Sequence, residues 1–337
     1  MRIVCVTLAF VLGLLSQVEC AQAQTSKDSA RLKKLLERYP EADTNKDGEL
    51  TVKEANAFVK QNAVNRRQQG GTPAKAPEGG EIHIYKKVGE IELPLYVFKP
   101  DQHKPQAKKP AIVFFFGGGW KAGNPSQFEH HCKHLASRGM VAITVEYRVS
   151  SRHAVKVEDC IEDAKSAMRW VRGNAQKLGV DPNRIASGGG SAGGHLAACT
   201  AVIDDFNAAA DDLDVSAKPN AMVLFNPYMG NDAGTEKSDR TRGPANKTVP
   251  YTYASKEQPP CIMFFGTADR LLEGAELYQK KSEEAGNRSK IVTYNDQGHG
   301  FFNYGRSGNK YYKLTLAEAD QFLVDLGWLP ASSRPQK

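Results

Sequence analysis

The chain has 337 residues and a formal net charge of +7, from 45 Lys and Arg against 38 Asp and Glu. Charged residues make up 25% and aromatic residues 9% of the chain, which is typical of a globular protein. This composition excludes a disordered, collagen-like or multispan membrane chain, and the length allows one large α/β domain with a small appendage. Because the basic residues form no block, we expect no nucleic-acid partner.

The first 23 residues are typical of a secretory signal peptide. Arg2 supplies a positive charge at the start, residues 3–15 carry no charge, and Ala-Gln-Ala at 21–23 fits the cleavage pattern. An uncharged run of 13 residues is too short to cross a bilayer core of about 30 Å. The sequence therefore predicts a secreted or periplasmic protein without a transmembrane segment, with lipid attachment through Cys20 as the alternative.

Removal of this segment would leave four cysteines in the mature chain. They are Cys132, Cys160, Cys199 and Cys261. An exported compartment permits disulfides, but four cysteines in a chain of this length cannot form a dense disulfide framework. We expect at most one bridge, with the other cysteines as buried thiols.

Residues 43–54, DTNKDGELTVKE, match the loop of a calcium-binding EF-hand. Oxygen-bearing side chains stand at loop positions one, three, five and twelve, glycine stands at position six, and position seven would use its backbone carbonyl. The predicted ligands are Asp43, Asn45, Asp47, Glu49 and Glu54. Apolar residues at helical spacing over 29–39 and 54–66 predict two flanking helices. The alternative is a solvated acidic loop, and Ca²⁺ held here would have no part in catalysis.

Residues 68–80, QQGGTPAKAPEGG, are rich in glycine and proline and poor in large apolar side chains, as is typical of a linker. The sequence therefore predicts a signal peptide over 1–23, an EF-hand module over 24–67 and a main domain over 81–330. A single EF-hand usually needs a partner, so pairing between molecules and docking on the main domain both stay open.

The main domain alternates short β-rich runs with helical patterns, which predicts a mostly parallel, eight-stranded sheet flanked by helices. The first two runs, which favour an antiparallel pair, lie at 82–85 and 92–98. The later runs are continuously apolar, as in strands buried on both faces. They lie at 111–116, 140–147, 184–189, 221–226, 261–266 and 290–295. The predicted helices lie at 126–138, 158–177, 192–204, 273–286 and 312–326.

The loop between the third predicted parallel strand and the helix that follows has the pattern of a nucleophile elbow. Gly189-x-Ser191-x-Gly193 stands between a strand and a helix, and the glycines leave room for the tight turn. The run Gly117-Gly118-Gly119 follows an earlier strand, where free backbone N–H groups can face a developing oxyanion. The predicted oxyanion donors are the backbone N–H groups of Gly118, Gly119 and Ala192.

Two later strand ends complete a candidate triad in the order Ser191, Asp269, His299. In this prediction His299 takes the proton of Ser191 and later protonates the leaving alcohol, while Asp269 fixes the imidazole tautomer. Asp296 is a competing acid because it lies close to His299 in sequence. Asp269 is preferred because it follows the preceding strand. No cofactor is expected for this chemistry.

With these motifs, residues 81–330 resemble an α/β-hydrolase of the esterase and lipase group that includes hormone-sensitive-lipase-like, acetyl-xylan and feruloyl esterases. The motifs are GGGW at 117–120, EYRVS at 146–150, DPNRI at 181–185, GGGSAGGH at 188–195, GTAD at 266–269 and GHGFFN at 298–303. Phe116 stands where lipase-like members have histidine before the glycines, which suggests that apolar packing holds the loop.

The resemblance implies a secreted serine carboxylic ester hydrolase that works through an acyl-enzyme, on acetyl or feruloyl esters linked to polysaccharide. A lipase or a prolyl-peptidase-like hydrolase would use the same triad. A non-catalytic, calcium-dependent binding protein on a hydrolase scaffold is the alternative from another class. It would normally have lost the serine or the histidine, and this chain keeps both.

Overall fold

The computed structural model describes residues 25–38, 40–58, 76–230, 247–254 and 256–331. The chain divides into two compact units, Met1–Gly70 and Gly71–Lys337. The predicted signal peptide and residues 68–75 of the predicted linker lie outside the described residues. None of the helices within the described residues is long and apolar enough to cross a membrane.

The first unit contains a helix, a loop and a second helix. Helix α1 spans Ala30–Arg38, and residues 52–58 form the described part of α2. Four buried apolar side chains form its core: Leu32, Ala42, Leu50 and Ala55. Helix α2 begins two residues before the predicted start because Thr51 caps it. The Thr51 Oγ1 accepts the N–H of Glu54 at 3.1 Å, and a Glu54 oxygen accepts the N–H of Thr51 at 3.1 Å.

The second unit contains the predicted eight-stranded sheet. Its strands are β1 (Glu81–Val88), β2 (Ile91–Phe98), β3 (Lys109–Phe115), β4 (Val141–Val145), β5 (Val180–Gly190), β6 (Ala221–Phe225), β7 (Cys261–Gly266) and β8 (Ser289–Tyr294). Their order is β1-β2-β4-β3-β5-β6-β7-β8. Strand β2 pairs antiparallel with β1 and β4, and every later pair is parallel. The structure thus confirms a mostly parallel sheet with a leading antiparallel pair.

Helices cover both faces of this sheet. They are α3 (Glu129–Ser137), α4 (Ser150–His153), α5 (Val157–Gly173), α6 (Ala175–Leu178), α7 (Ala192–Val202), α8 (Leu272–Glu284) and α9 (Lys310–Asp325). One buried cluster joins the sheet to α5, α7 and α8, and the other joins it to α3 and α9. Side chains of β3 alternate between the two clusters, as the two-residue period of a strand requires.

The predicted helix over 158–177 is two helices in the structure. Its break is at Asn174, whose side-chain amide donates to the carbonyl oxygen of Trp170 at 2.9 Å and so competes with the helical backbone pattern. The four cysteines of the described residues are buried free thiols.

Candidate active site

Ser191 lies in the sharp turn between β5 and α7. Its φ of +52° is in the left-handed region, which a residue with a side chain adopts only when its surroundings enforce it. The turn is held by the Ser191 N–H, which donates to the carbonyl of Phe225 at 2.9 Å. A Cβ added to Gly193 would lie 1.9 Å from the carbonyl oxygen of Phe115. Glycine is therefore required where α7 passes the end of β3.

His299 lies in the loop after β8, with its imidazole between a hydroxyl and a carboxylate. Its Nε2 is 2.8 Å from the Oγ of Ser191, and its Nδ1 is 2.8 Å from Oδ2 of Asp269. The carboxylate faces Nδ1, so this nitrogen carries the proton and Nε2 presents a lone pair to the Ser191 hydroxyl. The side chain of His299 is 42% exposed, so solvent reaches the site.

Asp269, after β7, is the carboxylate that contacts His299. Its side chain is fully buried, and its Oδ1 accepts the N–H of Leu271 at 3.0 Å. The competing acid, Asp296, is exposed and makes no recorded contact with the imidazole; its backbone N–H donates to Thr267 Oγ1 at 2.9 Å. The geometry therefore favours Asp269 over Asp296 as the partner of His299.

The glycine loop after β3 has the open backbone geometry that an oxyanion hole needs. Gly118 has φ +133° and Gly119 has φ +62°, and an added Cβ on Gly118 would lie 2.0 Å from the carbonyl oxygen of Ala122. In the part of the chain that the structure describes, no residue accepts a hydrogen bond from the backbone N–H of Gly118, Gly119 or Ala192. These groups are available to an oxygen of a bound ligand.

Phe116, at the position before the glycines, is held by apolar packing. Its ring stacks on Tyr147 with 4.1 Å between centroids, and the Tyr147 hydroxyl donates to the Phe116 carbonyl at 2.7 Å. This agrees with the packing expected for a phenylalanine at that position. Tyr147 therefore supports the start of the glycine loop through its two contacts with Phe116.

His195, one helical turn after Ser191, supports the other end of the glycine loop. Its Nδ1 accepts the indole N–H of Trp120 at 3.2 Å, and its Nε2 donates to the carbonyl of Thr248 at 2.6 Å. Burial lowers the pKa of His195 to about 4, because a charged imidazole would lose its hydration. This histidine stays neutral and acts as a fixed bridge between Trp120 and Thr248.

Two buried ion pairs lie beside the site at the end of β4. Arg148 forms a two-pronged contact with Asp163, at 2.7 and 2.9 Å, and Glu146 pairs with Arg152. Burial raises the pKa of Glu146 to about 7, although the guanidinium opposes that shift. Both pairs lie within the protein, and each charged side chain contacts its opposite charge. This indicates that the four residues support the structure beside the site.

Three carboxamide side chains contact the site although the sequence assigned none of them a role, and of the three only Asn303 belongs to a quoted motif, GHGFFN at 298–303. Gln127 accepts the backbone N–H of Gly117 at 2.6 Å and donates to Oδ1 of Asn303 at 2.8 Å, and Asn303 donates to the carbonyl of Gly300 at 2.8 Å. Asn226 contacts Gly300 from the opposite side. A polar residue directly after a buried parallel strand is the only signal that could have identified Asn226; Gln127 has none.

The predicted calcium ligands lie in one loop of the first unit. The Asp43 carboxylate accepts the N–H groups of Lys46 and Gly48 at 2.8 and 2.9 Å, and the Asn45 amide contacts Asp47 at 2.8 Å. Glu54 accepts hydrogen bonds from the hydroxyls of Thr51 and Thr44, and the Thr51 contact is the main reason that its pKa falls to about 2. Over the described residues, no three His, Cys, Asp or Glu side chains are grouped to hold a metal.

Comparison with known proteins finds esterases among the proteins that are similar to this chain. A family model described as BD-FAE matches residues 95–226. The apo form of Thermogutta terrifontis esterase 2 is 46% identical, with a TM-score of 0.74 over 76% of this chain and 98% of that chain. The same esterase phosphorylated by paraoxon has a TM-score of 0.72 at 46% identity, with the same coverage.

Two curated proteins are similar over shorter stretches. Carboxylesterase NlhH of Mycobacterium tuberculosis is 31% identical over 175 residues, which are 50% of this chain and 50% of that protein. Arylacetamide deacetylase of Bos taurus is 30% identical over 181 residues, which are 52% of this chain and 42% of that protein. The chain spans about a third to a half of the length of the curated relatives it matches.

Proposed function

Because the chain belongs to the α/β-hydrolase esterases, the family of Thermogutta terrifontis esterase 2, we propose that it hydrolyses carboxylic esters through an acyl-enzyme on Ser191. The observation that carries this proposal is the pair of 2.8 Å contacts that join Ser191, His299 and Asp269. A hydroxyl, a base and a buried acid in this order are the groups that acyl transfer requires.

The reaction follows from this geometry. Nε2 of His299 accepts the proton of Ser191 as Oγ attacks the ester carbonyl, and Asp269 stabilises the imidazolium that forms. The negative oxygen of the tetrahedral intermediate receives hydrogen bonds from the free N–H groups of the glycine loop and of Ala192. His299 then gives its proton to the leaving alcohol, and water, activated by the same imidazole, releases the acid from Ser191.

Ser191→Ala tests the nucleophile. Hydrolysis of p-nitrophenyl acetate and butyrate should fall by about a thousandfold or more in this variant, whereas Ser187→Ala, which removes a buried hydroxyl in β5 away from His299, should keep its activity. Paraoxon should modify the wild type once, at Ser191, when the digested protein is analysed by mass spectrometry. Hydrolysis by Ser191→Ala within about tenfold of the wild-type rate would overturn the proposal.

We propose acetyl or feruloyl esters linked to carbohydrate as the substrate class. Support comes from the exposed imidazole of His299, which suits an ester on a bulky polymer. The related esterase 2 has been solved with propionate and with butyrate, which favours short acyl groups. Turnover of acetylated xylan and feruloyl arabinose should exceed turnover of long-chain triglycerides and of peptides. The reverse order would favour the lipase or the peptidase alternative.

We also propose that residues 1–23 direct export and are removed. Expression of the full chain in a bacterial host, followed by fractionation and N-terminal sequencing, tests this. The expected result is a secreted or periplasmic protein that begins near Gln24; an intact Met1 in the cytosol would overturn it.

For the first unit we propose Ca²⁺ binding by Asp43, Asn45, Asp47, the carbonyl of Glu49 and Glu54. The donors are all oxygens, the ligand type that Ca²⁺ prefers, and Gly48 has the positive φ of +85° that the turn at position six needs. The unit also supplies its own β-bridge, Thr25 to Thr51, next to the loop.

Calcium titration of the full chain by calorimetry tests this proposal. Saturable binding is expected at or below millimolar Ca²⁺. Glu54→Gln should weaken it at least tenfold, since a bidentate carboxylate is lost, while Glu37→Gln on the exposed face of α1 should leave it unchanged. Equal binding by both variants, or none by the wild type, would contradict the assignment.

A further inference from the structure

Asn226 lies directly after β6, between the strand that leads to Ser191 and the strand that leads to Asp269. It is fully buried, and its φ of +38° is in the left-handed region, which asparagine tolerates better than most residues. Its backbone N–H donates to the carbonyl of Phe264 at 2.7 Å. The neighbouring strand β7 therefore holds the backbone of this residue at the base of the site.

The side-chain amide of Asn226 has a defined orientation. Its Oδ1 is 3.1 Å from the backbone N of Gly300, which can only donate a hydrogen bond, so the oxygen must face that group. The Nδ2 group is thereby turned toward His299, whose Nε2 lies 3.4 Å away. Asn226 thus contacts the histidine loop at two points, the backbone N–H of Gly300 and the imidazole of His299.

The contact with Nε2 is favourable in one protonation state only. While Nε2 is unprotonated, its one lone pair accepts the Ser191 hydroxyl at 2.8 Å and is shared, in a longer three-centre contact, with the Asn226 amide at 3.4 Å. Once Nε2 is protonated, two N–H donors face each other and the Asn226 contact becomes repulsive. The charged groups recorded around His299 in the described residues are the Asp269 carboxylate and Arg306, which donates to the His299 carbonyl at 3.3 Å.

From this geometry we infer that Asn226 is a positioning residue that holds the imidazole of His299 against Ser191 and favours its neutral, proton-accepting form. The inference rests on the proposed esterase function, in which His299 is the base. Asn226 acts through His299 and its loop and takes no part in the transfer itself, so its effect is on the alignment and the protonation of His299.

Asn226→Asp is the matched test, because it keeps the shape and the acceptor for Gly300 while replacing the N–H donor with a carboxylate oxygen. The midpoint of the acid limb of kcat/KM should move up by about one pH unit or more. The kcat plateau should fall while KM stays within about twofold. Asn295→Asp adds the same charge on the exposed part of the loop and should move the midpoint by less than about 0.3 unit because water screens it.

NMR titration of the His299 ring protons in the Ser191→Ala protein separates this inference from the proposed function, because it needs no ester turnover. The titration midpoint should rise when Asn226→Asp is added. If that variant does not fold, Asn226→Ser removes the Nδ2 donor, and the midpoint should rise by about half a unit. Unchanged midpoints in the folded variants would overturn the inference, even if the enzyme is an esterase.

Discussion

Nε2 of Gln127 donates a hydrogen bond to Oδ1 of Asn303 at 2.8 Å, between residues 176 positions apart in sequence. Each residue also holds a loop of the site: Gln127 accepts the N–H of Gly117, and Asn303 donates to the carbonyl of Gly300. This amide contact therefore joins the glycine loop, which carries proposed oxyanion donors, to the histidine loop. Acyl transfer needs the glycine loop and the histidine loop in their correct relative positions, since misplacement by about 1 Å can lower a rate a hundredfold.

Gln127→Met, which removes both hydrogen bonds at similar length, should lower kcat about tenfold to a hundredfold with a smaller effect on KM. Gln127→Glu keeps an acceptor for Gly117 but cannot donate to Asn303, so it isolates the contact between the loops. In a double-mutant cycle with Asn303→Leu, the effects should be strongly non-additive. Additive losses would show that the two loops are positioned independently.

Asp269→Asn should lower kcat by about four orders of magnitude, because an amide in place of the carboxylate favours the wrong tautomer of His299. Asp296→Asn is the control, since Asp296 is exposed and contacts the imidazole nowhere in the described structure. Its kcat should stay within about twofold of the wild type. Steady-state hydrolysis of p-nitrophenyl butyrate measures both, and a large loss in Asp296→Asn alone would reverse the assignment of the acid.

His131 is fully buried, and among the described residues neither ring nitrogen has a hydrogen-bond partner. Its neighbours are the aromatic rings of Phe114, Phe128, Phe225 and Tyr312. Burial lowers its pKa from 6.5 to about 3. Between these two values the unfolded chain binds a proton that the folded protein does not, so His131 makes the folded protein less stable as the pH falls.

His131→Leu should remove this acid sensitivity. Below pH 6.5 the wild type should lose about 1.4 kcal/mol of unfolding free energy per pH unit relative to the variant. The variant should also be at least as stable at pH 7.5, because two buried nitrogens without partners are replaced by an apolar side chain. Urea unfolding at pH 7.5, 6, 5 and 4 compares the two proteins. Parallel stability curves would contradict this account of His131.

Removal of calcium should leave ester hydrolysis largely intact, since the proposed ligands lie in the first unit and the triad lies in the second. Activity on p-nitrophenyl butyrate should stay within about twofold after EGTA treatment. Thermal unfolding of the first unit should move to lower temperature, because a bound ion stabilises the fold that holds it. Complete loss of esterase activity with chelator would show that calcium supports the active site.

The sheet could be predicted because strands buried on both faces of an α/β fold are continuous apolar runs. All eight strands coincide with predicted runs. The residues proposed for the triad could be named for a related reason, since the elbow glycines and the order Ser191, Asp269, His299 are local patterns at strand ends. Helix ends were less predictable: the Asn174 amide and the Thr51 cap each moved a boundary through a single side-chain contact.

By itself, the sequence predicted the layers, the strand content and the side chains proposed to carry the chemistry, because these depend on local periodicity and on turn geometry. The sequence preferred Asp269 to Asp296, and only the tertiary structure shows which carboxylate contacts the imidazole, since proximity in sequence does not measure that distance. The contacts of Asn226, Gln127 and Asn303 are likewise visible only in the tertiary structure. Their amides gain a role only when the strand order brings three distant loops together, and that juxtaposition depends on packing of the whole sheet.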